Sequence, residues 1–199
     1  MSLELVNTFG TLLSVAIIAA TAVAAMVQLR HLQAGNQINA MLSIGNQYDA
    51  KEYRDAQYLI LHKLTAVLED PLYREYEFAI ARSLPVPTVP EDFVRLRSAM
   101  QLIGNTHEEL GILVKNGIVD KDLFLDRYSW VIATGWKRME RYVAYIREIN
   151  GDDGIWENFE YLAVLSEDYL VEHPSTYPRG VRRMQPRNPW PMPPMPATA

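Results

Sequence analysis

The segment His107-Glu108-Glu109-Leu110-Gly111 comes closest to a catalytic motif, because it begins as a zinc-protease helix begins. In such a helix two histidines four residues apart bind the metal from one face, and a glutamate between them acts as general base. Gly111 stands where the second histidine is required, and the other three histidines show no ligand spacing. The sequence therefore predicts no metal site here. We expect His107 on a helix seam with a hydrogen-bond partner.

Two acidic clusters, Asp120-Lys121-Asp122 and Asp152-Asp153, have the oxygen ligands that a divalent cation prefers. A calcium loop needs such ligands at alternating positions with a closing glutamate, and neither cluster has them in register. Helix capping and turn formation explain these aspartates better. Glu148, Glu157 and Glu160 are expected to be solvated charges on helix faces. We predict no catalytic, cofactor-binding or metal-binding residues.

Trp136 and Trp156 are the aromatic residues best placed to form a ligand shelf, since charged residues flank both. We predict them inside the last two long helices, packed at the core or its boundary, with a stacking platform for a ligand as the alternative. Gly104, Gly111 and Gly117 are isolated within a helical pattern. They do not form the glycine-rich loop that cradles a phosphate.

The elements that carry these residues all have helical periodicity, with apolar residues recurring at steps of three and four. This spacing predicts helices over 50–68, 71–80, 93–114, 121–149 and 155–173. Asp49 followed by Glu52, Pro71, and Asp120 mark the starts of three of them. The helices over 93–114 and 121–149 are expected to form an antiparallel hairpin. No segment reads as a strand, so we predict an all-α fold.

A run of 25 residues without a formal charge lies between Glu4 and Arg30. About 20 apolar residues in a helix cover the ~30 Å hydrocarbon core of a bilayer. The start of the chain has no basic residue and the run is long for a signal sequence, which favours an uncleaved transmembrane helix over a cleaved signal. We expect this helix to continue to about Asn46, with Gly35 as a point where it could bend.

Orientation of the anchor is predicted from Arg30, which follows the apolar run directly, whereas no Lys or Arg precedes it. This bias favours an N-terminus outside and a cytoplasmic domain. Ala16, Ala20 and Ala24 recur every fourth residue, a spacing that permits close approach of two membrane helices. A homo-oligomer through this helix is one hypothesis. The alternative is that alanine is simply common in membrane helices.

The chain has a net charge of -5 that is unevenly distributed. Four arginines and no acidic residue follow His173, which leaves residues 1–173 at -9. An acidic domain neutralises few phosphates, so nucleic acid is not an expected partner. Eight of the twelve prolines lie from Pro174 onward, and we predict a disordered or polyproline-like tail. The arginines of the tail could contact anionic lipid, or its prolines could bind a partner protein. The third alternative is an unstructured solubilising segment.

Three segments together resemble a known family: residues 109–120, which read ELGILVKNGIVD, then Trp136, then residues 158–163, which read NFEYLA. They are similar to an uncharacterised bacterial family of membrane-anchored helical proteins catalogued as domain of unknown function 4760. The resemblance covers most of residues 10–172. It implies a membrane helix followed by a helical domain, and it brings no known catalytic residues. The tail lies outside the shared pattern.

We therefore predict a transmembrane anchor over 1–30, a cytoplasmic domain over 31–173 with about five helices, and a basic proline-rich tail over 174–199. The expected function is that of a single-pass interaction or regulatory module in a bacterial inner membrane, in contact with the lipid bilayer and with a protein bound through the tail or a helical face. One alternative is a membrane-tethered enzyme with a site around His107 and neighbouring carboxylates. Another is a structural subunit of a membrane complex.

Overall fold

The computed structural model describes residues 3–185, 187, 189 and 190, with side chains from residue 7 onward, and within this part of the chain it is all-α. The described residues form six helices and no strand, which confirms the predicted fold class. The helices are α1 (Leu3–Asp49), α2 (Lys51–Glu69), α3 (Pro71–Ala81), α4 (Glu91–Lys115), α5 (Lys121–Asn150) and α6 (Glu157–Glu172).

Helix α1 is 47 residues long and runs without a break through Gly35. All described side chains from Asn7 to Ala34 are exposed, whereas Met41 and Ile44 are buried against the other helices. The most apolar window of α1 has a mean hydropathy of 2.3. Among the described residues, α1 is the one helix that is long and apolar enough to cross a membrane. The apolar stretch and the first packed element of the domain are therefore one helix.

The starts of α3 and α5 follow the sequence prediction, whereas the start of α2 does not. Asp70 accepts a hydrogen bond from the Leu72 amide at 2.9 Å, directly before Pro71. Asp120 likewise accepts from the Leu123 amide at 2.8 Å. The predicted Asp49 cap is wrong, because α1 continues through Asp49 and the extended residue before α2 is Ala50, which makes no side-chain cap bond.

Helix α6 packs against both α4 and α5, which touch each other less than either touches α6. The predicted hairpin of α4 and α5 thus has a third helix filling the space between its arms. Helix α2 packs mainly against α4. The helical apolar side chains that are fully buried in this core come from α3, α4, α5 and α6: Tyr73, Met100, Phe124, Ile132, Met139, Phe159 and Leu162.

Beyond α6 the described residues up to Trp190 lie in neither helix nor strand. The side chain of Arg183 lies over the ring of Tyr177 and donates to the Ser175 hydroxyl at 2.6 Å. Most of the proline run from Pro189 to Pro196, for which an extended or disordered conformation was predicted, lies outside the described residues.

Candidate functional site

His107 lies at the point where α1 enters the domain. Its Nε2 atom is 3.1 Å from the hydroxyl of Tyr53 on α2 and 3.1 Å from the hydroxyl of Tyr48 at the end of α1. Its ring stacks on Phe159 of α6 at a centroid distance of 4.4 Å. The expectation of a seam histidine with a hydrogen-bond partner is confirmed, and the residue joins three helices to the end of α1.

Burial lowers the pKa of His107 to about 3, so the ring is neutral at physiological pH. In the neutral ring, Nε2 accepts a hydrogen bond from one of the two tyrosine hydroxyls in one tautomer and donates to one of them in the other. Nδ1 has no hydrogen-bond partner among the described residues. A buried ring of this kind is suited to packing and positioning rather than to proton transfer with a substrate, which requires contact with that substrate.

The carboxylate of Glu108, which follows His107, is directed at α6. It accepts hydrogen bonds from the backbone amides of Asn158 and Phe159 at 2.9 and 3.1 Å, and from the Asn158 side-chain amide at 2.6 Å. These amides belong to the first turn of α6, where backbone donors lack partners within the helix. The segment that resembled a zinc-protease helix therefore supplies a cap from α4 to α6. The carboxylate of Glu108 is fully used in these structural hydrogen bonds.

The acidic clusters have local structural roles. Besides the Asp120 cap on α5, the Asp152 carboxylate accepts from the Gly154 amide at 2.8 Å within the turn before α6. Glu160 forms an ion pair with Arg147 at 2.7 Å and is half exposed. Within the described part of the chain no group of three or more His, Cys, Asp and Glu side chains could hold a metal ion.

Trp156 precedes α6 instead of lying within it, which corrects the sequence prediction. Its backbone adopts a left-handed conformation with φ of 54°, a strained value for a bulky residue, so the turn into α6 interrupts the helical pattern. The indole is buried against Gly104, where a Cβ atom would overlap it, and its Nε1 donates to Asn105 at 2.9 Å. Trp136 packs edge-on against Phe159. The packing role predicted for both tryptophans is confirmed.

A buried carboxylate, Glu77 on α3, forms a second polar centre that the sequence analysis missed. It accepts hydrogen bonds from the hydroxyls of Tyr73 and Tyr142 at 2.6 and 3.1 Å, and its other oxygen accepts from Arg97 at 3.1 Å. Glu77 is 1% exposed. From the sequence, only the four-residue spacing of Tyr73 and Glu77 could have indicated this centre. The other two partners of Glu77 are distant in the chain, since Arg97 lies on α4 and Tyr142 on α5.

The Glu77 centre forms the floor of a cleft of about 370 Å³ between α3, α4, α5 and the turn before α6. Gln101, Asn105 and Asn150 contribute amide groups to its walls. Because Glu77 neutralises the Arg97 guanidinium, the cleft offers hydrogen-bonding groups without a net positive charge. It is suited to a small neutral polar molecule or to ordered water.

A groove of about 350 Å³ lies between α2 and α5 and is here called the α2–α5 groove. Trp130 is 67% exposed on its α5 side, and Tyr58 and Leu61 are exposed on its α2 side. Arg54 and Arg138 also line it, and neither has an ion pair within the described residues. Exposed tryptophan, tyrosine and arginine around an apolar floor are typical of surfaces that bind other proteins.

A family model described as a domain of unknown function, DUF4760, matches residues 15–165, which is more than half of the 199 residues. The chain belongs to the DUF4760 family. The search of curated proteins and the search of solved structures each returned no match.

The DUF4760 match confirms the family resemblance seen in residues 109–120, Trp136 and 158–163. It begins at residue 15, inside the apolar part of α1, and ends at residue 165 in α6. The DUF4760 domain of this chain therefore includes part of the apolar helix as well as the bundle, with the His107 and Glu77 centres and the α2–α5 groove inside the match. The tail lies outside it, as the resemblance implied.

Proposed function

We propose that this chain is a single-pass membrane protein whose helical domain lies at the cytoplasmic face of the membrane and binds a partner protein there. The observation that carries the proposal is the uninterrupted exposure of the apolar part of α1. No described side chain from Asn7 to Ala34 is covered by the domain. A surface of this length and hydropathy is stable when a bilayer covers it.

The cytoplasmic location is supported by Arg30, the first charged residue after the apolar stretch, together with the absence of Lys and Arg before it. Because α1 runs from this stretch to Ile44 in the core without a break, the domain sits close to the membrane. Membrane placement restricts the partners to proteins that reach the same surface.

The α2–α5 groove is the helical face that we propose for the partner. Arg54 and Arg138, which form no ion pair with the residues that the structure describes, lie on a domain that is otherwise acidic. The charge complement is therefore a segment with acidic side chains. The apolar floor of the groove suits an amphipathic helix, which would place apolar residues in the groove and carboxylates beside Arg54 and Arg138.

The enzyme alternative around His107 gains no support from the geometry. His107 is 1% exposed, and Glu108 beside it is bonded to the first turn of α6. Regulation through partner binding is therefore the preferred mechanism over catalysis at this histidine.

The anchor and its orientation are tested with single cysteines, since the chain has none of its own. Asn7→Cys should react with a membrane-impermeant maleimide on intact cells, and Ser98→Cys on α4 should react only after permeabilisation. The protein should stay with the membrane after a carbonate wash. Recovery in the wash would refute the anchor, and labelling of Ser98→Cys on intact cells would refute the orientation.

The groove is tested by photo-crosslinking in native membranes from a benzophenone amino acid placed at Leu61. Trp130→Ala should remove the crosslinked partner, because loss of a central aromatic costs about 2 kcal/mol or more, roughly thirtyfold in affinity. Trp190→Ala is the matched control, because Trp190 is similarly exposed but lies in the tail. Equal loss from both variants, or from deletion of residues 174–199 alone, would assign the partner to the tail.

A further inference from the structure

The end of the domain that lies nearest the membrane is defined by two contacts along α1. Gln47 donates to the Thr106 hydroxyl at 3.3 Å, and ten residues closer to the apolar stretch Gln37 accepts from the Asp120 amide at 2.7 Å. Helix α4 therefore runs toward the membrane. Of these two contacts with α1, the one made by the turn between α4 and α5, residues 116–120, lies closer to the apolar stretch.

The distance from this turn to the membrane follows from helix geometry. Gln37 lies seven residues after Arg30, which corresponds to about 10 Å along the axis. The headgroup layer is roughly 5–7 Å thick on each side of the hydrocarbon core. A side chain that projects from the turn toward the membrane has only a few ångströms to cross.

The turn exposes apolar side chains at this position. Ile118 is 55% exposed and Leu123, in the first turn of α5, is 48% exposed, although Val119 between them is fully buried. A bulky aliphatic residue at the tip of a turn lacks a local packing role, since its neighbour already fills the core. Water is an unfavourable environment for both exposed side chains.

The turn itself carries no net formal charge. Within residues 115–122, Lys115 and Lys121 stand against Asp120 and Asp122. The end of α6 lies beside the start of α5, because Asp168 and Glu172 line one cleft with Lys121 and Asp122. The basic tail therefore begins at this end of the domain.

We propose that the turn between α4 and α5 makes a second contact with the bilayer that α1 spans, with Ile118 and Leu123 lying among the lipid headgroups. This inference rests on the proposed membrane anchor. It assigns a lipid-binding role to a surface of the domain itself. The contact would fix the height and tilt of the bundle, and hence the direction in which the α2–α5 groove faces.

The test uses the full chain with single spin-labelled cysteines, reconstituted in phosphatidylcholine vesicles. Electron paramagnetic resonance measures collisions with oxygen, which concentrates in lipid, and with a water-soluble nickel chelate. Ile118→Cys is the test position. Val86→Cys is the matched control, because Val86 is 52% exposed in the connector before α4, at the opposite end of that helix. Ala20→Cys places a label in the apolar part of α1 and measures whether that part lies in the bilayer.

The label at 118 should collide with nickel several-fold less often than the label at 86, and more often with oxygen. Equal nickel collisions at 118 and 86, with 20 shielded, would overturn this inference and leave the anchor intact. Nickel access at 20 equal to that at 86 would refute the anchor itself. Leu123→Cys repeats the measurement if the first variant loses its far-ultraviolet circular dichroism.

A second set of vesicles contains phosphatidylglycerol. Because the turn has no net charge, shielding at 118 should be the same in both sets. Shielding that appears only with the anionic lipid would overturn the apolar contact, since it would mean that the tail arginines hold this end at the surface.

Discussion

Gly111 on α4 lies directly against the backbone of Asn158 at the start of α6, and a Cβ atom there would come within 2.7 Å of the Asn158 carbonyl carbon. Real Cβ atoms do not approach backbone so closely, so α4 and α6 meet here only because residue 111 has no side chain. Glu108, one turn earlier, bonds the same part of α6. Together they fix where α6 begins.

Gly111→Ala is therefore expected to destabilise the domain by about 1–3 kcal/mol, because a backbone group cannot rotate away from the added methyl. Gly135→Ala on α5 is the matched control, since its Cβ would lie 3.6 Å from the His107 side chain, an ordinary contact. It should be neutral or stabilise by up to about 1 kcal/mol through helix propensity. Urea unfolding of the full chain in mild detergent, followed by tryptophan fluorescence, measures both. Equal effects would contradict the close approach.

Glu108→Ala should cost about 1–3 kcal/mol, because it removes the acceptor of the backbone amides of two buried residues. The effect should be local as well as global: hydrogen exchange at the amides of Asn158 and Phe159 should accelerate before that of the α5 core. Glu109→Ala is the control, since Glu109 is the exposed neighbour and should change stability by no more than about 0.5 kcal/mol. Unchanged hydrogen exchange at the Asn158 amide in Glu108→Ala would contradict the capping role of Glu108.

The helices themselves were predictable from the sequence to within a few residues, because amphipathic spacing and caps such as Asp70 and Asp120 act locally. The end of α1 was less predictable. Asp49 has the residue type of a cap, but packing of Met41 and Ile44 extends α1 through it. Tertiary contacts overrode a local signal there.

The Glu77 centre was not predictable for a different reason. Glu77 follows Arg74 and Glu75 in a stretch that reads as exposed charge, and its burial depends on Arg97 and Tyr142, which are distant in the chain. Residues that meet only through packing of three helices leave no periodic pattern.

Glu77→Ala should destabilise the domain by about 3 kcal/mol, because it leaves two tyrosine hydroxyls and the partly buried Arg97 without their acceptor. Glu75→Ala, which alters an exposed carboxylate on the same helix, should have little effect. The double variant Glu77→Leu with Arg97→Met should recover part of the loss, because it removes both the buried carboxylate and the partly buried guanidinium that pairs with it. Thermal unfolding of the four proteins tests this order. A double variant less stable than Glu77→Ala would contradict it.

The His107 centre makes stability depend on pH in a direction set by its pKa. Burial lowers the pKa of His107 to about 3, whereas an unfolded histidine titrates near 6.5. Below pH 6.5 the unfolded state therefore binds a proton that the folded state does not, and the free energy of unfolding falls as the pH falls. Between pH 7 and pH 5 this loss amounts to about 2 kcal/mol, and most unperturbed carboxylates titrate below that range.

Urea unfolding at several pH values between 7 and 5 isolates this contribution when wild type is compared with His107→Gln. The glutamine variant is expected to be less stable at pH 7, but its stability should change little over the range because residue 107 no longer titrates. His62→Gln, at an exposed histidine on α2, should retain the wild-type slope. Parallel slopes for wild type and His107→Gln would show that His107 takes up its proton without unfolding, and that the junction between α1 and the domain opens to water.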